Sequence, residues 1–289
     1  VIAELVADWY EDDHRRLPWR APGYPAWGIL VSELMLQQTP VARVIPRLEF
    51  WLERWPTPAD LAAEPPGEAV RAWDRLGYPR RALALHAAAT VIAEQHGNVV
   101  PHEVDALLAL PGVGPYTARA VAAFAYGVRT PVVDINTRRV LARAIGASAE
   151  PGPPRPREEL GTMEALLPAG PARARLVNAG VMELGQTVCT ARAPRCDACP
   201  IASLCAWRAA GYPPYHGRRA PKQKRYEGSD RQVRGLILGE LRASDTAVPA
   251  AVVEGLWPDA TQRERALSGL LRDGLVTGDH ARGYELPVA

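Results

Sequence analysis

Four cysteines, Cys189, Cys196, Cys199 and Cys205, are the only ones in a chain of 289 residues. Their spacing is C-x6-C-x2-C-x5-C, and chance would not gather them so tightly. In a reducing compartment disulfides are rare, so four thiolates within reach of one centre point to a metal. A tetrahedral zinc ion is one occupant, although zinc modules usually carry two close pairs and only Cys196 and Cys199 are close here. A cubane [4Fe–4S] cluster suits the uneven spacing better.

A second stretch with chemical potential is LPGVGPYTARAVAAFAYGVRTPVVDIN at 110–136. Gly112 and Gly114 flank Val113, and Arg119 and Arg129 are the only charges before Asp134. An ordinary helical hairpin needs one turn glycine. Two let the backbone approach a ligand, and a tight ligand-free turn is the plainer alternative. Asp134 stands just before NTRRVLARAIG, where aspartate is a common helix N-cap.

The elements that must position these residues are helical. Apolar spacing predicts helices near 2–15, 27–38, 40–54, 67–76, 80–96, 103–110, 115–127, 136–146, 157–167 and 172–188. Proline and glycine punctuate them, as at Pro56-Thr57-Pro58 and Pro65-Pro66-Gly67. No segment before 270 reads as a strand, so the first 210 residues are expected to be all-α. Residues 211–229 are Pro/Gly-rich and basic, with Arg218-Arg219-Ala220-Pro221-Lys222-Gln223-Lys224-Arg225 at their centre, and read as a linker able to reach phosphates or simply to tether. Beyond it, helices at 230–242, 249–256 and 260–273 precede an alternating LVTGDHARGYELPV, the pattern of a winged helix. Such a module at 230–289 suits nucleic acid and protein contacts equally.

Composition adds limits. Net charge is only +2, and there is no unbroken apolar run of 18 residues, so no membrane span is expected. The opening VIAELVADWYEDDHRR lacks the basic start and cleavage site of a signal peptide, which predicts a cytoplasmic protein. The only lysines are Lys222 and Lys224.

Taken together the motifs resemble a known superfamily. The cysteine spacing is similar to the cluster loop of endonuclease III-like DNA glycosylases, and Leu110-Pro111-Gly112-Val113-Gly114 resembles a helix–hairpin–helix, in which glycines and helix amides hold a DNA phosphate. Residues 17–55, with LPWRAPGYPAWG and SELMLQQT, and LGYPRRALALHAAA at 76–89 look like the MutY family of adenine DNA glycosylases. The resemblance covers about 5–210. It implies a core of two helical lobes with a [4Fe–4S] loop: a cluster lobe from 1–20 and 133–210, and a helical barrel lobe from 21–132. The small α+β module follows.

The resemblance also implies roles. Glu33 matches the general acid that protonates N7 of adenine, and burial among Leu30, Leu34 and Trp27 would favour the protonated carboxyl. Asp134 matches the aspartate that stabilises the oxocarbenium-like sugar, and Tyr116 an active-site tyrosine. Gln38 and Tyr78 match residues that wedge into the duplex as the base is extruded. Leu17, Trp19 and Arg20 match positions lining the adenine pocket. Schiff-base lyases of the superfamily use a lysine where Tyr116 stands, and no lysine occurs in residues 1–221, so a monofunctional hydrolase is expected. The expected partner is double-stranded DNA holding adenine opposite 8-oxoguanine or guanine, bound by a monomer associated with the nucleoid.

Three departures stand out. The family's Asp-Gly-Asn is Asp134-Ile135-Asn136, Pro79 follows Tyr78 in place of a second tyrosine, and where long members carry a Nudix-like domain residues 230–289 resemble a winged helix instead. Two rivals follow: a glycosylase for thymine or uracil opposite guanine, and a non-catalytic iron–sulfur regulator. The intact acid, aspartate and LPWR favour the adenine enzyme.

Overall fold

The computed structural model describes residues 1–218 and 225–288. Most of the basic stretch anticipated at 218–225, namely Arg219–Lys224, lies outside the described residues. Helices follow the predicted apolar periods closely, from Ile2–Asp13 to Ala260–Arg272, and the strands among the described residues are Thr277–Asp279 and Gly283–Glu285. None of these helices is long and apolar enough to cross a membrane. Contacts divide the chain into two compact units, one of Val1–Ile29, His102–Leu108 and Val113–Pro221, the other of Leu30–Pro101, Ala109–Gly112 and Lys222–Ala289.

In the first unit, Ile2–Asp13 packs on Pro171–Thr187, which packs in turn on Ile135–Ala144. The inward faces supply Val6, Ala7, Val140, Met163, Val177 and Leu184, all buried in one cluster. Burying each of the larger of these side chains contributes about 1.5–3 kcal/mol. On the outer face, Arg173 meets Glu4 and Glu11 at 2.9 Å and also Asp8. That network is solvent-exposed and contributes little.

In the second unit the core is aromatic. Trp51 meets Trp55 edge-on at 4.7 Å and Trp73 at 5.8 Å, the offset geometry that ring quadrupoles favour. The short helix Pro58–Ala62 is absent from the periodicity because Pro56 and Pro58 read as breakers. Thr57 and Asp60 nevertheless form a capping box around a proline at the first helical position, where its missing N–H costs nothing. Thr57 N–H donates to Asp60 at 2.9 Å.

The last part of this unit has the expected winged-helix elements: Asp230–Ala243, Ala250–Gly255, Ala260–Arg272 and an antiparallel hairpin pairing Gly278 with Tyr284. Val248 adds an isolated bridge to Tyr284, a third short edge that periodicity did not reveal.

Candidate active site and cysteine loop

Glu33 lies on the helix Ala26–Leu36, whose sequence AWGILVSELML is otherwise almost wholly apolar. It is 6% exposed, and the adjacent Leu34 and the residue one turn back, Leu30, are fully buried. A carboxyl there is largely out of water.

Two loops of the same unit come next. Gln38 and Tyr78, forty residues apart, are joined by a hydrogen bond of 2.5 Å from the Tyr78 hydroxyl to Gln38 Oε1. Both hold positive φ, 60° and 49°, as does Asp74 at 47°. Non-glycine residues adopt that region at a cost of order 1–3 kcal/mol each, so the surrounding contacts must hold it. They do: Thr39 Oγ1 donates to Leu76 O at 3.1 Å, the Trp73 indole donates to Gly77 O at 2.8 Å, and Arg47 pairs with Asp74 at 2.8 Å. Arg81 donates to Gln37 O and lies over the Tyr78 ring, 4.5 Å from its centre. Burial pushes the Arg81 guanidinium below its ordinary range. Tyr78 itself stays 44% exposed.

The two glycines of the hairpin serve different ends. Gly112 has φ +75°, and a Cβ there would stand 2.5 Å from Ala84 Cβ, so both conformation and packing require glycine. Gly114 has φ −92° and caps Pro115–Tyr126 without a side-chain hydrogen bond. A Cβ at Gly114 would meet open space. Folding does not demand this second glycine, and no side chain at the cap position stands between the helix N-terminus and an approaching anion. Val113 is buried.

Asp134 is the N-cap of Ile135–Ala144. Its Oδ1 accepts from Thr137 N–H at 2.6 Å and its Oδ2 from Asn136 Nδ2 at 2.7 Å. Ile135, in the departed glycine position, projects outward and is 59% exposed. The approach to Asp134 is held by fully buried Asn178, which accepts from Val132 N–H and donates to Thr130 O, both at 2.9 Å. Tyr116 packs beside Val132, Ala120 and Ala123, with its hydroxyl 4.0 Å from Met182 Sδ.

Leu17, Trp19 and Arg20 form a half-buried 3-10 turn and its entry. Arg20 donates to Glu183 Oε2 at 2.8 Å, and Arg15 grips Glu183 through contacts of 2.6 and 2.7 Å. Burial alone would raise the Glu183 pKa, but hydrogen bonds and charge from both guanidiniums bring it to about 2. Arg20 thus anchors the LPWR turn to Pro171–Thr187.

The four cysteines line one small pocket together with Arg143, Arg195, Arg208 and Trp207. Arg143 donates to Cys189 Sγ at 3.3 Å and to Thr190 O at 2.8 Å, while its guanidinium lies 4.8 Å from the Trp207 ring centre. Four soft thiolate donors ringed by cations fit a cluster of iron and sulfide, whose thiolate ligands leave it negatively charged. Burial pushes the Cys199 thiol up to about 11 and raises that of Cys189. Loading must therefore release protons. Arg139 ties this loop to the aspartate: it donates to Cys189 O at 2.7 Å and to Asn136 Oδ1 at 2.9 Å.

Glu183, Asn178, Arg139 and Arg143 were not singled out in the sequence. The available signals were a lone acid within VMELG and two arginines one turn apart in NTRRVLARA.

Comparison with known proteins places these features. Residues 31–164 match the model of the HhH-GPD superfamily of base excision DNA repair proteins, and residues 189–205 match the iron–sulfur binding domain of endonuclease III. Those matches, with the helical core, define a helix–hairpin–helix glycosylase-type protein with a [4Fe–4S] binding loop. A thermostable thymine-DNA glycosylase of known structure has the same fold, with TM-score 0.66 and 27% identity, covering 72% of this chain and 95% of its own. More similar in sequence are the adenine DNA glycosylases of Mycolicibacterium smegmatis, 54% identical over 94% of this chain and 91% of its own, and of Mycobacterium tuberculosis, 51% identical over 96% and 91%. The chain belongs to the adenine DNA glycosylase family.

Proposed function

We propose that this protein is a monofunctional DNA glycosylase that removes adenine opposite 8-oxoguanine or guanine during base excision repair in a bacterial cytoplasm. The observation that carries the reading is Glu33, a carboxyl 6% exposed on an otherwise apolar helix, at the position where the family's acid is expected. Adenine leaves poorly until a ring nitrogen is protonated. Glu33 supplies that proton to N7, and as the glycosidic bond breaks Asp134 faces the positive charge growing on the sugar.

Water completes the reaction. No lysine amine from the glycosylase core competes with it, since residues 1–221 contain no lysine. Tyr116 orders groups around the acid and the sugar, and Leu17, Trp19 and Arg20 line the pocket for the extruded base. Gln38 and Tyr78, linked by their hydrogen bond, enter the duplex as a single wedge. Gly112, Val113 and Gly114 bring the backbone close to a phosphate. The cluster, when bound, ties Cys189, Cys196, Cys199 and Cys205 into one rigid loop and leaves no ligand position for substrate.

Single-turnover excision from duplexes carrying adenine opposite 8-oxoguanine, guanine or thymine tests the reading. Release from the first two only, leaving an alkali-labile but uncut strand, is expected. Strand cleavage without alkali, or release of thymine from a guanine mispair instead, contradicts it.

A further inference from the structure

The C-terminal module is seated on the helix that leads into a wedge loop. Pro66–Trp73 ends at Asp74, and Tyr78 follows four residues later. At the start of that helix, Gly67 N–H donates to Pro287 O at 2.7 Å. A Cβ at Gly67 would stand 2.5 Å from the same oxygen, so this close approach requires glycine. One turn later two arginines cross over reciprocally. Arg71 donates to Arg242 O and, at 3.0 Å, to Ser244 O, while Arg242 Nε donates to Val70 O at 3.0 Å. On the far side of the loop, Arg80 faces Asp273 at 3.6 Å, and Asp273 is held by Arg234 at 2.5 Å.

The module thus grips the chain on both sides of Asp74–Tyr78. Arg242 also feels that loop: burial first, opposed by Asp74 and assisted by Arg47 and Arg75, lowers its pKa to about 10. The module itself is poorly suited to phosphate. Residues 226–288 contain ten acidic and seven basic side chains, a net charge of −3. A net negative charge opposes association with a polyanion.

We propose that residues 226–288 act as a brace, with Arg71, Arg242 and Asp273 as positioning residues that hold the Asp74–Tyr78 loop in its wedge conformation. The inference rests on the assignment of Tyr78 to the wedge. It makes the module contribute to base extrusion without touching DNA. Gln38, Asp74 and Tyr78 hold positive φ without being glycine, so their conformation must be imposed by neighbours, and the brace is one such neighbour.

The test uses the full chain, with Arg71→Met and Asp273→Asn made singly and each combined with Tyr78→Ala. Single-turnover excision is measured, with 2-aminopurine fluorescence at the target position reporting extrusion. Acting through Tyr78, Arg71→Met is expected to slow excision about tenfold alone and by less than about twofold beside Tyr78→Ala, since residues working as a unit are not additive. Asp273→Asn, a milder change at the module's edge, follows the same pattern with a smaller effect and serves as the readout should Arg71→Met unfold the module. The salt dependence of duplex binding stays unchanged in both. Effects that multiply with Tyr78→Ala, no effect of either variant, or a shallower salt dependence overturn the brace. If Tyr78→Ala leaves excision at its original rate, the wedge assignment itself falls, and that result is distinct from failure of the brace alone.

Discussion

The cysteine loop and the wedge loops are both built with arginine and use it differently. Around the cysteines, Arg139 and Arg143 face carbonyls and a thiol, and Arg15 and Arg20 share the buried carboxylate of Glu183. Glu183 is neutralised where it is buried, whereas burial lowers the pKa of Arg139 among its neutral partners. Beside the Asp74–Tyr78 loop, Arg71 and Arg242 reach neutral carbonyl groups across the module contact, Arg71 also pairs with Glu68 at 2.9 Å, and Arg242 is left with a lowered pKa. The first region is locked by ion pairs within its own unit. The second holds strained backbone through the Arg47–Asp74 and Arg80–Asp273 pairs together with neutral hydrogen bonds from the C-terminal module.

The largest expected effect is at the chemistry. Glu33→Gln keeps the shape and hydrogen bonding of the side chain but cannot deliver a proton, and should slow single-turnover excision by about a thousandfold while duplex binding persists. Cys199→Ser should come next, on the cluster side: iron and sulfide content and the visible absorbance of the cluster fall, and excision falls with them. An unchanged iron content would remove Cys199 from the ligand set.

Glu183→Gln sharpens the comparison. It leaves two half-buried guanidiniums facing a neutral amide, and the lowered pKa of Glu183, about 2 against an ordinary 4.5, corresponds to about 3 kcal/mol. Because the folded-state pKa lies below the unfolded one, that stabilisation is complete above pH 4.5 and is lost as pH falls towards 2. Chemical denaturation at pH 7 should show the loss, and the difference between wild type and variant should shrink in acid. The smallest effect is expected for Tyr78→Phe, which removes one exposed hydrogen bond to Gln38 and should cost excision about twofold. A larger loss would mean that this hydroxyl serves more than the wedge.

Much of this was legible in the sequence, for identifiable reasons. Cysteine spacing survives any folding detail, and helices such as Arg80–Gln95 announce themselves by apolar period. Asp134 was legible as a helix cap. The brace was not, because carbonyl acceptors such as Arg242 O and Pro287 O carry no residue-type signature. Nor was the positive φ of Gln38, Asp74 and Tyr78, since local sequence predicts that conformation mainly for glycine and asparagine. Pro58–Ala62 was hidden by prolines that in fact start it. The difference between Gly112 and Gly114 needed a neighbour, Ala84, that lies far away in sequence.

The most direct test of the central claim is single-turnover excision of adenine opposite 8-oxoguanine and opposite guanine, by the full-length protein and by Glu33→Gln. The account predicts free adenine from both duplexes with the wild-type chain and almost none with the variant, at unchanged duplex affinity. Equal rates for the two proteins would contradict it, because the proton would then come from elsewhere.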